Sequence, residues 1–141
     1  MVDLGSGAGF PGIVLSIIAE ERKIPLKIKL IEKSPKKASF LKEIINILNL
    51  NAEVLNLNVL KLPKNLEADL IIARAFTPLK IILPFIDKNT QNWKKIFLFL
   101  GKTGQVELLQ ASKRWDIKYK QRMSITSSDS IVLEINKLKK K

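Results

Sequence analysis

The chain has 141 residues, room for one domain, and carries 25 Lys plus Arg against 13 Asp plus Glu, a formal charge of +12. It has no Cys and no His, which excludes disulfides, thiolate metal sites and histidine acid–base chemistry, and no metal centre is expected. The basic excess points to a polyanion, nucleic acid first, although an A/T-rich coding bias would also raise Lys, Ile and Asn together.

No apolar run reaches the ~20 residues that span a bilayer, and no signal-peptide pattern is present. A soluble, cytoplasmic, monomeric protein without a membrane partner is expected.

Val2 to Leu4 reads as a very short strand. The stretch Gly5-Ser6-Gly7-Ala8-Gly9 that follows places a glycine at every second position. Such a loop permits positive φ angles and close approach of a ligand to the backbone. Pro11 suits a first helical position. From Gly12 to Arg22, Ile13, Ile17 and Ile18, with Val14 beside them, fit a helix packed on a sheet. Its N-terminal N–H groups would point back at the loop and make a cradle for a small molecule.

Leu26 to Ile31 is a second strand ending at Glu32. Ser34 caps and Pro35 opens the next helix, with Ala38, Leu41, Ile45 and Leu48 on its apolar face and lysines at Lys33, Lys36, Lys37 and Lys42. Ala52 to Leu57 is a third strand, followed by a loop through Pro63. Asp69 to Arg74 is apolar enough for a central parallel strand covered on both faces. Thr77-Pro78 opens a helix to about Asp87, with a kink expected at Pro84. Lys95 to Leu100 is the fifth strand, and a helix spans Gln105 to Ser112. Trp115 to Met123 and Ile131 to Asn136, joined by the polar run Ser124 to Ser130, read as an antiparallel hairpin. Lys137 to Lys141 reads as a solubilising tail. Five βα steps and a closing hairpin give an α/β fold, a mostly parallel seven-stranded sheet with helices on both faces.

Two ligand classes suit the loop. Read from Gly7, it is G-x-G-x-x-G, a dinucleotide fingerprint that would make the chain an NAD(P)-binding oxidoreductase domain. Read from Asp3, it is D-x-G-x-G-x-G. A carboxylate at the entrance opposes a pyrophosphate and favours a cationic ligand such as S-adenosylmethionine. Glu32, at the end of the second strand, would hold a ribose in either case. Asp3 and the final hairpin favour the methyl donor.

The stretches Val2-Asp3-Leu4-Gly5-Ser6-Gly7-Ala8-Gly9-Phe10-Pro11-Gly12-Ile13, Lys36-Lys37 with Phe40-Leu41, and Ile72-Ala73-Arg74-Ala75-Phe76 resemble the catalytic part of the RsmG (GidB) family. These are bacterial methyltransferases of guanine N7 in 16S small-subunit rRNA. The resemblance covers essentially the whole chain. It implies a class I S-adenosylmethionine-dependent methyltransferase (Rossmann-like) fold in one domain, with 16S rRNA or the small ribosomal subunit as partner. It places donor-binding residues at Gly5, Phe10, Val59, Leu60 and Arg74, while Gly7, Gly9 and Glu32 follow the general methyltransferase pattern and Asp3 joins the donor site through its charge. No catalytic residue is assigned. The family usually has Arg-Val-Glu where this chain has Asn58-Val59-Leu60, and Lys-Gly where it has Gly101-Lys102. The family also carries a helical segment before the glycine loop, so an N-terminally truncated member is expected. Phe10, Phe76 and Trp115 are candidates for stacking on RNA bases. An RNA-binding relative without activity is the remaining alternative.

Overall fold

The computed structural model describes residues 1–61 and 66–141. In chain order the elements are β1 (Val2–Leu4), α1 (Gly12–Glu21), β2 (Ile28–Ile31), α2 (Pro35–Leu48), β3 (Ala52–Leu55), a 3₁₀ turn (Val59–Lys61), β4 (Leu66–Glu67), β5 (Leu70–Arg74), α3 (Leu79–Asn89), β6 (Thr90–Gln91), β7 (Lys95–Leu100), α4 (Gly104–Ser112), β8 (Trp115–Met123) and β9 (Ile131–Lys140). Seven strands form one sheet in the order β3-β2-β1-β5-β7-β9-β8, and β4 and β6 make a separate two-stranded pair. The mostly parallel sheet with a C-terminal antiparallel hairpin is the fold expected from the sequence. The third βα step differs: a 3₁₀ turn follows β3, and the expected loop at Pro63 lies outside the described residues. The chain divides into two compact units, Met1–Leu62 with Ile72–Arg74, and Pro63–Ile71 with Ala75–Lys141.

In the first unit β1 and β3 both pair in parallel with β2, with Asp3 opposite Leu30 and Ile31 opposite Leu55. The core is Ile13, Ile28, Leu30, Leu41, Ile45 and Leu50. Each such aliphatic side chain contributes about 1.5–3 kcal/mol on burial. The stripe that α1 buries is Ile13, Ser16 and Ala19, not Ile13, Ile17 and Ile18. Gly12 explains the change, because a Cβ there would strike the Leu30 side chain and Asp3. The helix comes close to β2 at Gly12, and Val14, Ile17 and Ile18 stay partly exposed. In α2, Ser34 is the cap, its Oγ accepting the Lys37 N–H at 3.4 Å. Ala38, Leu41 and Ile45 are buried as their spacing implies, but Leu48 is exposed and Leu50 takes its place. The chain leaves α2 through Asn49 at φ +50°, and the left-handed turn carries Leu50 inward.

In the second unit β9 pairs antiparallel with β7 and with β8. Trp115 lies opposite Lys140, so Lys137 to Lys140 belong to a strand and are not a loose tail. The nine residues of β8 supply hydrogen-bonding partners beyond Asn136, and pairing overrides the polar composition. Helix α3 continues through Pro84 and buries Ile82, Leu83, Phe85 and Ile86. In α4, Gly104 permits close approach: a Cβ there would lie 2.6 Å from Leu100 Cβ and 3.3 Å from Ile131 Cγ1.

Candidate functional site

All nine residues expected to bind a donor, from Asp3 to Arg74, lie in the first unit. The loop between β1 and α1 is held from below by backbone bonds. The Gly5 and Ser6 N–H groups both donate to Ile31 O at 2.9 Å, and the Gly9 N–H donates to Ser6 O at 2.8 Å. Gly5, Gly7 and Gly9 have φ values of +72°, +57° and +94°, the left-handed region that disfavours any side chain.

The glycines divide by what surrounds them. A Cβ on Gly9 would lie 2.5 Å from Ile13 Cγ1 and 3.0 Å from Leu41 Cδ2, so this glycine lets the loop pack against α1 and α2. A Cβ on Gly7 would meet nothing closer than Gly5 O at 3.9 Å. Gly7 is therefore the bare, open side of the loop, where a ligand can lie against the backbone.

Two carboxylates fix the loop. Glu32, just beyond β2, accepts the Gly7 N–H on Oε2 and the Ser34 N–H on Oε1, both at 2.8 Å. One acidic side chain thus joins the loop to the start of α2. Asn56 reinforces the same corner, its Nδ2 donating to Glu32 O at 2.9 Å and Lys33 O at 3.2 Å.

Asp3 is fully buried. The sequence suggested a carboxylate at the mouth of the cradle, but this one lies beneath it. Its Oδ2 accepts the Gly12 N–H at 3.2 Å, while Oδ1 is buried without a partner. Burial pushes its pKa from 3.8 up to about 6, partly offset by the Ser6 side chain and then by the Gly12 N–H, and the Glu32 charge adds a smaller upward push. The α1 N-terminus is consequently not free as expected: Asp3 takes the Gly12 N–H, and Gly9 O takes the Ile13 N–H at 2.7 Å. Helix α1 begins at Gly12, as the range read from the sequence has it, but Pro11 is its N-cap and not its first helical residue.

Phe10 is exposed beside the loop, whereas Trp115 is buried and Phe76 is partly buried. Val59 is buried and Leu60 exposed on the 3₁₀ turn. Asn58 shapes that turn, its Oδ1 accepting the Leu60 N–H at 3.1 Å and its carbonyl accepting the Lys61 N–H at 2.9 Å. Arg74 ends β5, the neighbour of β1 in the sheet; it is exposed and has no ion-pair partner among the described residues. Sequence reasoning missed Asn56, Asn58 and Ser34 N–H as parts of this corner. Only Ser34, two residues after Glu32 and before a proline, carried a readable local signal.

Among the described residues no cluster of acidic side chains could hold a metal, and no helix is long and apolar enough to cross a membrane.

The family model of rRNA small subunit methyltransferase G matches residues 1–135. A ribosomal RNA small subunit methyltransferase G of Pelagibacter ubique is 43% identical over 141 residues, covering all of this chain and 66% of the relative. The protein of the same name from Rickettsia prowazekii is 35% identical over 140 residues, 99% of this chain and 69% of the relative. The chain thus spans about two-thirds of the length of these relatives. Among solved structures, a SAM-dependent methyltransferase from Aquifex aeolicus superposes with a TM-score of 0.70 at 16% identity, over 95% of this chain and 79% of that one. The methyltransferase architecture and the family match over nearly all residues agree, and the chain belongs to the rRNA small subunit methyltransferase G (GidB) family.

Proposed function

We propose that this chain is the donor-binding part of a methyltransferase that uses S-adenosylmethionine to methylate N7 of a guanine in 16S rRNA. The observation that carries the reading is the Glu32–Gly7 hydrogen bond at 2.8 Å. It holds an acidic side chain at the end of β2 against Gly7, an open glycine of the loop. A nucleoside ribose lying on Gly7 would reach a carboxylate already oriented to accept its hydroxyls. The residues fit the donor: Gly7 offers the bare backbone, Glu32 a ribose acceptor, and the exposed Phe10 and Leu60 apolar cover. Gly5 and Gly9 shape the loop, buried Val59 anchors the adenine side, and Arg74, without an ion-pair partner among the described residues, suits a donor carboxylate or RNA phosphate. Asp3 acts from below, through its hold on Gly12.

When bound, the donor supplies a sulfonium methyl group, which passes to the N7 lone pair as the S–C bond breaks, leaving a neutral thioether and a cationic base. N7 carries no proton, so no general base is required of a chain without histidine. What the protein contributes is placement, worth roughly 7–11 kcal/mol in well-oriented reactions. Lys33, Lys36 and Lys37 are exposed around the start of α2, next to Glu32, where they oppose the helix dipole and suit RNA phosphates.

A dinucleotide is disfavoured by a specific observation. Pyrophosphate would need the N–H groups at the start of α1, and the Asp3 carboxylate already occupies the Gly12 N–H.

Calorimetric titration with S-adenosylhomocysteine and with NAD, beside a methyl-transfer assay on 16S rRNA with mapping of the product base, tests the reading. Homocysteine-adduct binding and N7-methylguanine are expected. NAD binding, methylation at another atom, or RNA binding without any nucleoside ligand would each overturn it.

A further inference from the structure

The second unit carries an open groove of about 1180 Å³ between α3, α4 and the outer ends of β8 and β9. Lys80, Lys88, Lys113, Arg114 and Lys140 line it, against two acids, Asp87 and Glu107. The acids do not balance the cations. Glu107 is committed inside the fold, accepting the Leu79 N–H on Oε2 and the Thr103 hydroxyl on Oε1, both at 2.7 Å. None of the five cations forms an ion pair among the described residues. Elsewhere on this chain lysines do find acids, as in Lys94–Asp69 at 2.8 Å, Lys95–Glu134 at 2.7 Å and Lys137–Asp116 at 2.9 Å. The groove is thus a place where positive charge is gathered and left uncompensated.

The walls between these charges are apolar. Val106 is 58% exposed, and the Pro84 ring stands in the middle of the α3 wall. Flexible lysine and arginine stems over an apolar floor let charged ends follow an irregular polyanion.

We propose that this groove seats a stretch of RNA sugar–phosphate backbone, as a contact surface additional to the glycine-loop site. This rests on the reading that the chain acts on rRNA. Phosphates would meet the five cations, and ribose and base edges would lie over Val106 and Pro84. With no exposed aromatic in its lining, the groove grips a backbone without reading its sequence. Four cations lie on or next to the two helices, Lys80 and Lys88 on α3 and Lys113 and Arg114 at the end of α4. The seat therefore spans both walls and suits an extended chain better than a single small anion.

The test replaces Lys80, Lys88, Lys113 and Arg114 together by Gln and measures binding of 16S rRNA fragments by fluorescence anisotropy from 50 to 200 mM salt. Calorimetric S-adenosylhomocysteine binding on the same variant verifies that the chain still folds. Single-stranded contacts each contribute about −0.7 to the log–log salt slope, so the variant's slope should be shallower by about 2 to 3. Donor affinity should stay within about twofold, and methyl transfer at subsaturating RNA should fall with the RNA affinity. If wild type methylates rRNA and the variant keeps the same slope and affinity, the groove does not hold RNA and the inference is overturned alone. Loss of hexaglutamate binding with an unchanged RNA slope would assign the groove to an acidic protein segment and also overturn it. If wild type binds no RNA at all, the rRNA reading falls with it.

Discussion

The buried Asp3 carboxylate accepts the Gly12 N–H at 3.2 Å, tying the end of β1 to the first residue of α1 across nine positions of sequence. One of its oxygens caps the helix and the other has no partner. This charge position follows pH. The Asp3 pKa is about 6 in the folded chain, above its ordinary 3.8. Between those values the folded chain holds a proton that the unfolded chain has released. Stability is therefore lost as pH rises through that window, by an amount on the order of 3 kcal/mol. Thermal melts of the ligand-free chain should fall from pH 4.5 to pH 6.5 beyond the background of the exposed groups. Asp3→Asn, which keeps an acceptor for Gly12, should flatten that fall. An unchanged pH profile in the variant would show that Asp3 is not the group responsible.

Glu32 serves two N–H groups, so its truncation should be felt twice. Glu32→Ala leaves the Gly7 and Ser34 N–H groups without their acceptor. A loss of about 1–3 kcal/mol in stability is expected, measured by urea denaturation. Homocysteine-adduct affinity should drop at least tenfold, because the ribose acceptor and the loop's tether go together. Glu32→Gln keeps one carbonyl oxygen and should fall between wild type and Glu32→Ala on both measurements.

The glycines should separate packing from binding. Gly9→Ala puts a methyl group 2.5 Å from Ile13 and should cost several kcal/mol of stability, at the upper end of the ~1–3 kcal/mol typical of overpacking. Gly7→Ala meets open space and bears only the cost of φ +57°, about 1 kcal/mol. Its larger effect should be on donor affinity, since the methyl group stands where the ligand would lie. A Gly7→Ala variant that binds S-adenosylhomocysteine as tightly as wild type would place the ligand elsewhere.

Glu107 should prove a helix cap for a helix it does not belong to. Pro78 at the start of α3 offers no capping side chain, and Glu107 from α4 accepts the Leu79 N–H instead. Glu107→Ala should cost about 1–2 kcal/mol, the size of a lost N-cap. Thr103→Val, which removes only the hydroxyl bonded to the same carboxylate, should cost less. Equal losses in the two variants would contradict the capping role.

Much of this was legible in the sequence because it depends on neighbours in the chain. The Gly5-Gly7-Gly9 spacing demands positive φ, and Ser34-Pro35 is a cap followed by a first turn. The apolar run to Arg74 implies a strand covered on both faces, and Ile71, Ile72 and Ala73 are indeed buried. What escaped reading depends on partners far along the chain. Lys137 to Lys140 look like a tail until β8 is laid beside them. The two-residue strands β4 and β6 have no periodicity to detect. Asp3 looks like a charge offered to solvent until Gly12 brings α1 down onto it. Asn56 and Glu107 act across 24 and 28 residues, distances at which local patterns carry no signal.

The long β8 strand has one further effect. It forms an outer edge of the sheet, where unpaired backbone groups would invite a second chain to add a strand. Lys118, Lys120 and Arg122 recur along it, and the pairing register slips between Lys118 and Tyr119. A foreign strand would have to bring its backbone against repeated positive charge and follow an interrupted ladder. The edge is thereby guarded against templated aggregation, although β8 is nine residues long.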